Sequence, residues 1–433
     1  MPVAESRRRH IASWRQMRMS MTRFALLFVV FIDIMGQGLM LPLVSAVLLD
    51  PTKDFLPKDM GETARGVRFG IVMGLFYFSW FFGAAFISKL TDYIGRKPGI
   101  LICLAGTFAG YVLTIISVLT SSFFLLALGR AVAGFTAGNQ PIAQAALVDL
   151  SKDDEEKTRY MGFIVAAVSV GLVTGPIIIG VLSDQSLLGR FASLELPLFV
   201  ALGLVVINIA LIQVYFAETL KKRRKIDFGI SEVFLNLLRI AQHPVVLRIS
   251  LVYFFAILGL NAFFIFVDNY LYARFTFGTA QNSAIMMVAG GCMGLSSIFL
   301  VGPVSTRFRQ VPIMVATILI MATFVAAYLV NPFADLSYAL LVPIMGAFAI
   351  YYPTLLTMYS SAVDGTDQGW VMGVAIALFT LGSGSVSLIG GALEAVDPSL
   401  PFLISLAACA MALLMIAMFW KGDEIRALDP HRD

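Results

Sequence analysis

Charged residues are scarce in this sequence of 433 residues. Only 13% are Asp, Glu, Lys or Arg, against roughly 25% in ordinary soluble domains, whereas 59% are hydrophobic and the mean hydropathy is +0.86. A chain with so little charge has too few polar groups to cover a water-exposed surface of its size. The composition therefore predicts a membrane protein.

Cysteine and histidine are equally rare, with three of each. The cysteines fall singly inside apolar runs, so neither a disulfide framework nor a thiolate metal site is indicated; the histidines lie in predicted loops or tails, where they cannot relay protons within the membrane. These residues are Cys103, Cys292, Cys409, His10, His243 and His431. The sequence has no G-x-x-x-x-G-K-[ST] phosphate loop and no soluble segment large enough for a nucleotide-binding domain. We expect no enzyme activity, no cofactor and no metal, and we expect an ion gradient to drive any transport.

Twelve apolar runs are long enough to cross the hydrocarbon core, which is about 30 Å thick and takes about 20 helical residues. The runs cover residues 24–49, 66–90, 99–119, 123–150, 158–183, 195–217, 246–274, 280–304, 311–330, 336–360, 369–393 and 399–420. They are too long and too continuously apolar for the alternating strands of a membrane barrel. The predicted fold is an all-α membrane protein with twelve transmembrane helices.

The longest internal polar segment divides these runs into six and six. The expected organisation is a basic N-terminal arm (1–23), a first six-helix bundle (24–217), a linker (218–244), a second six-helix bundle (245–420) and a tail (421–433). With the N-terminus inside, 24 Lys and Arg residues lie on the inner side and six on the outer side, so both termini, the linker and the tail are predicted to be cytoplasmic. We expect the arm to lie on anionic lipid and the basic cluster 221–225 to anchor the linker rather than bind nucleic acid.

A charged stretch, ISKLTDYIGRKPG at residues 87–99, separates the second run from the third. It resembles the major facilitator superfamily signature G-x-x-x-D-[RK]-x-G-[RK]-[RK]. The matching residues are Asp92, Gly95, Arg96 and Lys97. The resemblance implies two pseudo-symmetric six-helix bundles and a conformational latch, in which Asp92 faces a helix N-terminus of the other half and Arg96 pairs with Asp149. A merely solvated basic loop is the alternative.

Arg130 lies inside the fourth run, in GRAVAGFTAGNQPIAQAALVD. A charged side chain in hydrocarbon costs at least about 2.5 kcal/mol, so we expect Arg130 to face the bundle interior, with Gly134 and Gln144 on the same helical face. The element resembles the R-x-x-x-G pattern of the same superfamily, which implies a part in proton coupling. Snorkelling to the outer headgroups is the alternative.

The fifth run carries glycines and a proline at regular intervals. They are Gly162, Gly171, Gly175, Pro176 and Gly180. Small residues at these intervals let helices approach closely, and a proline bends a span. The spacing resembles the glycine-rich element of drug/proton antiporters in this superfamily; a generic close-packing helix is the alternative.

Asp33 lies in the first run, about nine residues from its inner end and roughly 14 Å deep at ~1.5 Å per residue. Burial disfavours the charged form of a carboxylate, so Asp33 is suited to taking and releasing a proton. Together with Gly36, Gly38 and Pro42 it resembles the first span of tetracycline/proton antiporters. A proton-coupling or cation-binding role and a purely structural hydrogen bond both remain open, and so does a direct pair with Arg130.

Six polar residues are candidates for a substrate cavity. They are Gln37, Gln144, Asn261, Asp268, Tyr351 and Tyr352. Asp268 lies near the predicted outer boundary, where an interfacial role and substrate contact both remain open. Glu394 is expected to be solvated at an outer loop. Residues 50–66 form a long outer loop that either caps the outward opening or is simply solvated.

These resemblances imply a secondary active transporter, specifically a proton-coupled antiporter that exports a drug-like or small organic molecule by alternating access. The expected location is the bacterial inner (cytoplasmic) membrane. The expected partners are the substrate, protons and the lipid bilayer, with no nucleic acid, and the expected state is a monomer. A siderophore or metabolite exporter and a proton-coupled importer remain alternatives on the same scaffold, and a receptor or a channel are rivals from other classes.

Overall fold

The computed structural model describes residues 2–220, 237–364, 367–420 and Ile425, with side chains from Met17 onward except those of Ser88, Asp154 and Thr158. The predicted anchor at 221–225 and nearly all of the predicted tail lie outside this part of the chain, and so do the side chains of the N-terminal arm before Met17. The described residues form helices and connecting turns, with no strand among them.

Within the described residues, thirteen helices of at least 11 residues form the twelve spans. They are α1 (Pro2–Leu49), α2 (Glu62–Ile94), α3 (Arg96–Thr120), α4 (Phe123–Phe135), α5 (Asn139–Asp149), α6 (Asp154–Leu182), α7 (Glu195–Tyr215), α8 (Pro244–Phe275), α9 (Thr279–Phe299), α10 (Gln310–Val330), α11 (Leu336–Ser361), α12 (Gln368–Glu394) and α13 (Leu400–Phe419). Eleven of these are individually long and apolar enough to cross a membrane, and α4 and α5 together make the fourth span. The prediction of twelve spanning helices is confirmed.

The fourth span is not the single helix predicted over 123–150. It breaks after Phe135 and resumes at Asn139. Pro141 explains the break, because its ring would clash with the carbonyl of Ala137 in a continuous helix, whereas a proline in the first turn of a new helix removes no hydrogen bond. The helical face predicted to join Arg130 and Gln144 is therefore interrupted between these two residues.

The helix of the first span begins well before the apolar run. α1 is continuous over 48 residues, which is about 72 Å at ~1.5 Å per residue and more than twice the thickness of the hydrocarbon core. The predicted boundary between arm and bundle is thus not a break in secondary structure. In the second half, the run predicted to end at 304 stops at Phe299, and a short helix (Val301–Arg307) follows.

The two halves meet along two pairs of helices, α2 with α12 and α6 with α9. Glycines bring the first pair close together: a Cβ built on Gly66 would lie 2.9 Å from the Gly391 carbonyl oxygen. In the second pair, a Cβ built on Gly294 would lie 2.9 Å from the Ser169 Cβ. Such close backbone approach is typical of helices that associate in lipid through small residues.

Two hydrogen bonds join the two halves at one end of this seam. Ser45 Oγ of α1 donates to Asn269 Oδ1 of α8 at 2.7 Å, and Thr63 Oγ1 of α2 donates to the Ala395 carbonyl oxygen at 3.1 Å. We call this the outer end, because the charge distribution predicts that it faces away from the cytoplasm. The seam between the halves is therefore closed at the outer end.

Glu394 belongs to this closed end rather than to a solvated loop, so the expectation made for it is wrong. Its side chain is half-buried, and its Oε2 accepts a hydrogen bond of 3.0 Å from Asn269 Nδ2. Because Asn269 also accepts from Ser45, these three residues form one hydrogen-bonded chain across the seam.

The long outer loop is packed onto the protein through one arginine and two apolar side chains. Arg65, only 3% exposed, donates to the carbonyl oxygens of Leu48 at 3.2 Å, Pro57 at 2.8 Å and Met60 at 3.2 Å. Phe55 and Leu56 are buried. The loop is thus anchored in the first half, which a simply solvated connection would not require.

Candidate functional site

A small cavity lies inside the first half, among the first four spans. Its polar lining residues are Asp33, Gln37, Thr107, Tyr111, Thr114 and Arg130. The structure therefore brings together three residues predicted from sequence, Asp33, Gln37 and Arg130. A concave site with a few convergent polar groups is typical of a small-molecule site.

The Asp33 carboxylate lines this cavity and is half-buried. The Asn139 side chain, itself only 1% exposed, lies close to Asp33. Asn139 is the first residue of α5, so the break in the fourth span is what brings this amide to the carboxylate. Sequence reasoning missed Asn139, because a continuous helix over 123–150 gives no reason to single it out.

Arg130 faces the interior of the bundle, as its cost in hydrocarbon predicts, and does not snorkel. It is 4% exposed, and its Cζ lies 4.1 Å from the centroid of the Phe76 ring on α2. Among the described residues no carboxylate lies within 4.0 Å of its guanidinium, and its Nε has no hydrogen-bond partner. Arg130 and Asp33 thus share one cavity without forming an ion pair.

Tyr111 of α3 fills the space between α1 and the fourth span. A Cβ built on Gly36 would lie 2.5 Å from the Tyr111 hydroxyl oxygen, so only glycine leaves room for the phenol at that point. Tyr111 and Tyr77 are also the groups that interact electrostatically with Arg130. Neither tyrosine was predicted, since their approach to Arg130 follows from packing between helices and not from sequence spacing.

The remaining predicted cavity residues do not join this group. Gln144 is half-buried on α5, and Tyr352 packs on Phe348 with ring centroids 5.9 Å apart. Asn261, Asp268 and Tyr351 are buried within the second half. None of them lines the cavity that holds Asp33, so their part in substrate binding stays a prediction.

The glycine and proline element of α6 packs against α1, the helix that carries Asp33. A Cβ built on Gly171 would lie 2.7 Å from the Phe31 carbonyl oxygen, and one built on Gly175 would lie 2.7 Å from the Leu39 amide nitrogen. Further along α6, a Cβ built on Gly180 would lie 2.8 Å from the Ser283 Cβ of the second half. A Cβ built on Gly162, by contrast, would meet nothing within 4 Å.

The charged loop at 87–99 is tied together within the first half. Arg96 Nη1 donates to Asp92 Oδ1 at 3.1 Å, and Arg96 Nε lies 3.9 Å from Asp149 Oδ2. No described residue of the second half hydrogen-bonds to Asp92 in this conformation. The roles of Asp92 and Lys97 in a latch stay a prediction.

Glu218, at the end of the sixth span, completes this loop and was missed by sequence reasoning. Its Oε1 accepts from the Arg96 amide at 2.9 Å and its Oε2 from the Lys97 amide at 3.1 Å, so it caps the N-terminus of α3. Gly95, at φ +115°, leaves space for this carboxylate. Partial burial works to raise the pKa of Glu218, but the amides of Leu220, Arg96, Lys97 and Thr219 outweigh it and hold the pKa below its ordinary value.

Comparison with known proteins identifies a matching family and several similar proteins. The sequence model of the Major Facilitator Superfamily matches residues 24–342. The class C tetracycline resistance protein of Escherichia coli is 27% identical over 393 residues, which cover 86% of this chain and 89% of the relative. Among solved structures, the human organic anion transporter MFSD10 (TETRAN) has a TM-score of 0.69 at 20% identity, and the match covers 93% of this chain and 99% of the MFSD10 chain.

A D-xylose-proton symporter has a TM-score of 0.73 at 14% identity, with coverages of 92% and 98%. At such low identity, these two structural likenesses establish the fold alone. The match of the superfamily's sequence model, which extends over most of the chain, carries the assignment. On this evidence the chain belongs to the Major Facilitator Superfamily of membrane transporters.

Proposed function

We propose that this transporter is a proton-coupled antiporter that exports a drug-like or small organic molecule by alternating access. The observation that carries the proposal is the half-buried Asp33 carboxylate in the first-half cavity, with no Lys, Arg or His nitrogen of the described residues within 4.0 Å. A carboxylate without a cationic partner is free to gain and lose a proton during a transport cycle. The names of the tetracycline resistance relatives support a drug-like substrate.

Coupling follows from a competition at this one site. Asp33 lines the cavity beside the Asn139 side chain, so changes around the carboxylate alter its proton occupancy. A substrate that enters the cavity displaces water and contacts Arg130 and Asp33. Binding of the substrate and binding of the proton are then linked, and protons that flow inward drive the substrate outward.

The closed outer end supports an inward-facing assignment for this conformation. Opening that end requires the Ser45–Asn269 and Thr63–Ala395 hydrogen bonds to break and α2 to separate from α12. The loop around Asp92 and Arg96 then serves as the latch of the opposite, inner end: when the inner end closes, Asp92 moves to a helix N-terminus of the second half.

The proposed setting is the bacterial cytoplasmic membrane, with both termini in the cytoplasm and a single chain as the working unit. The distribution of Lys and Arg supports this orientation. Each half contributes one side of the seam, so one chain supplies both moving parts. The protein performs transport and no covalent chemistry, and the proposed cycle requires no cofactor.

Efflux from proteoliposomes with an imposed pH gradient tests the proposal, first with tetracycline and then with a panel of aromatic dyes. Asp33→Asn is expected to abolish gradient-driven transport while the protein remains folded, because the amide cannot release a proton. Asp59→Asn, at an exposed position of the outer loop, is the matched control and should transport normally. Normal uphill efflux by Asp33→Asn would rule the mechanism out.

A further inference from the structure

Asp268 of α8 is a buried acidic side chain that the mechanism above does not use. It is 0% exposed, and neither carboxylate oxygen has a hydrogen-bond partner among the described protein atoms. No Lys, Arg or His nitrogen of the described residues lies within 4.0 Å of it. An ionised carboxylate with neither a cation nor a hydrogen-bond donor is strongly disfavoured in such surroundings.

The helices packed against α8 bring few titratable groups towards Asp268. Tyr328 of α10 interacts with it electrostatically, but the Tyr328 hydroxyl donates to the Ser337 carbonyl oxygen. Glu394 of α12 is engaged by Asn269, and Arg274, on α8 itself, donates to the Tyr270 hydroxyl at 2.8 Å. Among the described residues of α1, α9, α11 and α13, no other titratable side chain is hydrogen-bonded or ion-paired with Asp268.

A polar pocket lies at the outer end, near the segment of α8 that carries Asp268. The pocket lies between α1, α8 and the start of α9, and Ser45, Asp50 and Asn282 are among its lining residues. Asn282 Nδ2 donates to the Asp268 backbone carbonyl oxygen at 3.1 Å, while its buried Oδ1 has no partner. Asn282 therefore stands between the pocket and the segment of α8 that carries Asp268, with one polar atom still available.

The same segment of α8 holds the outer seam closed. Asn269, the residue after Asp268, accepts from Ser45 of the first half and donates to Glu394. Opening the outer end breaks the Ser45–Asn269 bond. Since Asp268 and Asn269 are consecutive in one helix, the opening also moves Asp268 relative to the pocket.

We infer that Asp268 is a second proton-binding site, loaded from the outer side through the pocket at Asn282 when the Ser45–Asn269 bond opens. In the open state, water reaches the carboxylate, which takes one proton from hydronium and becomes the neutral acid. Closure of the seam then seals the proton inside the second half. The inference rests on the alternating access proposed above, but not on the identity of the exported molecule.

Infrared spectroscopy of the full chain in lipid bilayers tests this site with the proton itself as the probe. A protonated carboxyl group gives a C=O stretching band that shifts when deuterium replaces the proton. At neutral pH we expect one such band that is lost in Asp268→Asn and kept in Asp33→Asn. A spectrum that Asp268→Asn leaves unchanged would show that Asp268 is ionised, and would overturn the inference.

The route of the proton is tested by the rate at which that band shifts in heavy water. Ser45→Ala removes the donor to Asn269 and leaves Asn282 and Asp268 in place, so the outer end should open more often. The shift should then be about fivefold faster, the factor that the loss of one ordinary hydrogen bond gives. Ser151→Ala is the matched control, because Ser151 Oγ bonds only to the Leu147 carbonyl of its own span. An exchange rate that does not respond to Ser45→Ala would contradict loading through the outer seam.

The two measurements keep the inference testable when a variant is unstable. If Asp268→Asn does not fold, the band is assigned by its shift in frequency in Asp268→Glu, which keeps the carboxyl group, and the Ser45→Ala measurement then decides the question. Normal uphill efflux by Asp33→Asn would remove the proposed antiport mechanism but leave both infrared results in place. The failure of the proposed function and the failure of the second proton site can therefore be told apart.

Discussion

The two aspartates inside the bundles of this protein, Asp33 and Asp268, lie in very different surroundings. Asp33 is half-buried, lines a cavity in the first half beside Asn139 and shares that cavity with Arg130. Asp268 is buried in the second half, where no described residue donates a hydrogen bond to its carboxylate or places a cation within 4.0 Å of it. An ionised carboxylate is disfavoured in a sealed site, whereas proton exchange during a transport cycle needs access to water.

The position of Asp33 depends on backbone contact between α1 and α6, and this gives the largest expected effect. In Gly175→Ala the added Cβ lies between backbone atoms of α1, 2.7 Å from the Leu39 amide nitrogen, so we expect a loss of about 1–3 kcal/mol of stability. Thermal unfolding of the wild type and of Gly175→Ala in detergent measures this loss of stability.

Gly162→Ala is the matched control for that prediction. A Cβ at this position meets nothing within 4 Å, and alanine favours the helix by about 0.5–1 kcal/mol. Equal destabilisation by the two substitutions would contradict the account of α6 as the support of the Asp33 helix.

Arg130 is the cation that shares the cavity with Asp33, and no described cation lies within 4.0 Å of Asp268. The Arg130 guanidinium packs on the Phe76 ring. Phe76→Leu removes the ring 4.1 Å from the guanidinium carbon, a contact worth about 0.5–2 kcal/mol, so efflux should fall about 3- to 30-fold. Phe76→Tyr keeps an aromatic face and should retain most of the rate. If Phe76→Leu and Phe76→Tyr transport equally well, the aromatic ring does not hold Arg130 in place.

A stability measurement sharpens the contrast at Asp268. If this residue is the neutral acid, Asp268→Asn replaces it with a neutral group of similar shape, and we expect the free energy of unfolding at neutral pH to change by less than about 1 kcal/mol. The exposed substitution Asp59→Asn provides the baseline. A loss of several kcal/mol would indicate an ionised Asp268 with a specific cationic partner.

The smallest expected effect concerns Glu218, a carboxylate that lies outside the membrane-spanning segments. Glu218→Gln weakens the cap on α3 and should cost about 0.5 kcal/mol at neutral pH, a modest value because the exposed side chain is screened by solvent. The pKa of Glu218 is depressed in the folded protein, so its contribution is complete above the ordinary value of 4.5 and is lost as the pH falls through the lower folded-state pKa. The difference between wild type and Glu218→Gln should therefore vanish in acid; a difference that grows below pH 4.5 would contradict the sign.

Much of the fold could be predicted because apolar length and charge distribution act locally along the chain. Twelve runs gave twelve spans, and the cost of a charge in hydrocarbon placed Arg130 in the bundle interior. The break at Pro141 was missed, although a proline at that position is visible in the sequence, because the surrounding residues are apolar enough to read as one span. That omission also hid Asn139, the neighbour of Asp33.

The rest of the candidate site could not be predicted, because it depends on contacts between residues far apart in the sequence. Glu218 caps a helix that begins 122 residues earlier, and Asn269 meets Ser45 across 224 residues. The Tyr111 hydroxyl lies beside Gly36 only because α3 packs on α1. Spacing along one helix carries no information about such pairs.

The most direct test of the central claim is the release of protons when a substrate found in the efflux screen binds to purified protein in weakly buffered detergent solution. If Asp33 carries the coupled proton, wild type should release protons on binding at neutral pH, and Asp33→Asn should bind the substrate with no such release. Equal proton release by the two proteins would show that the coupling site lies elsewhere.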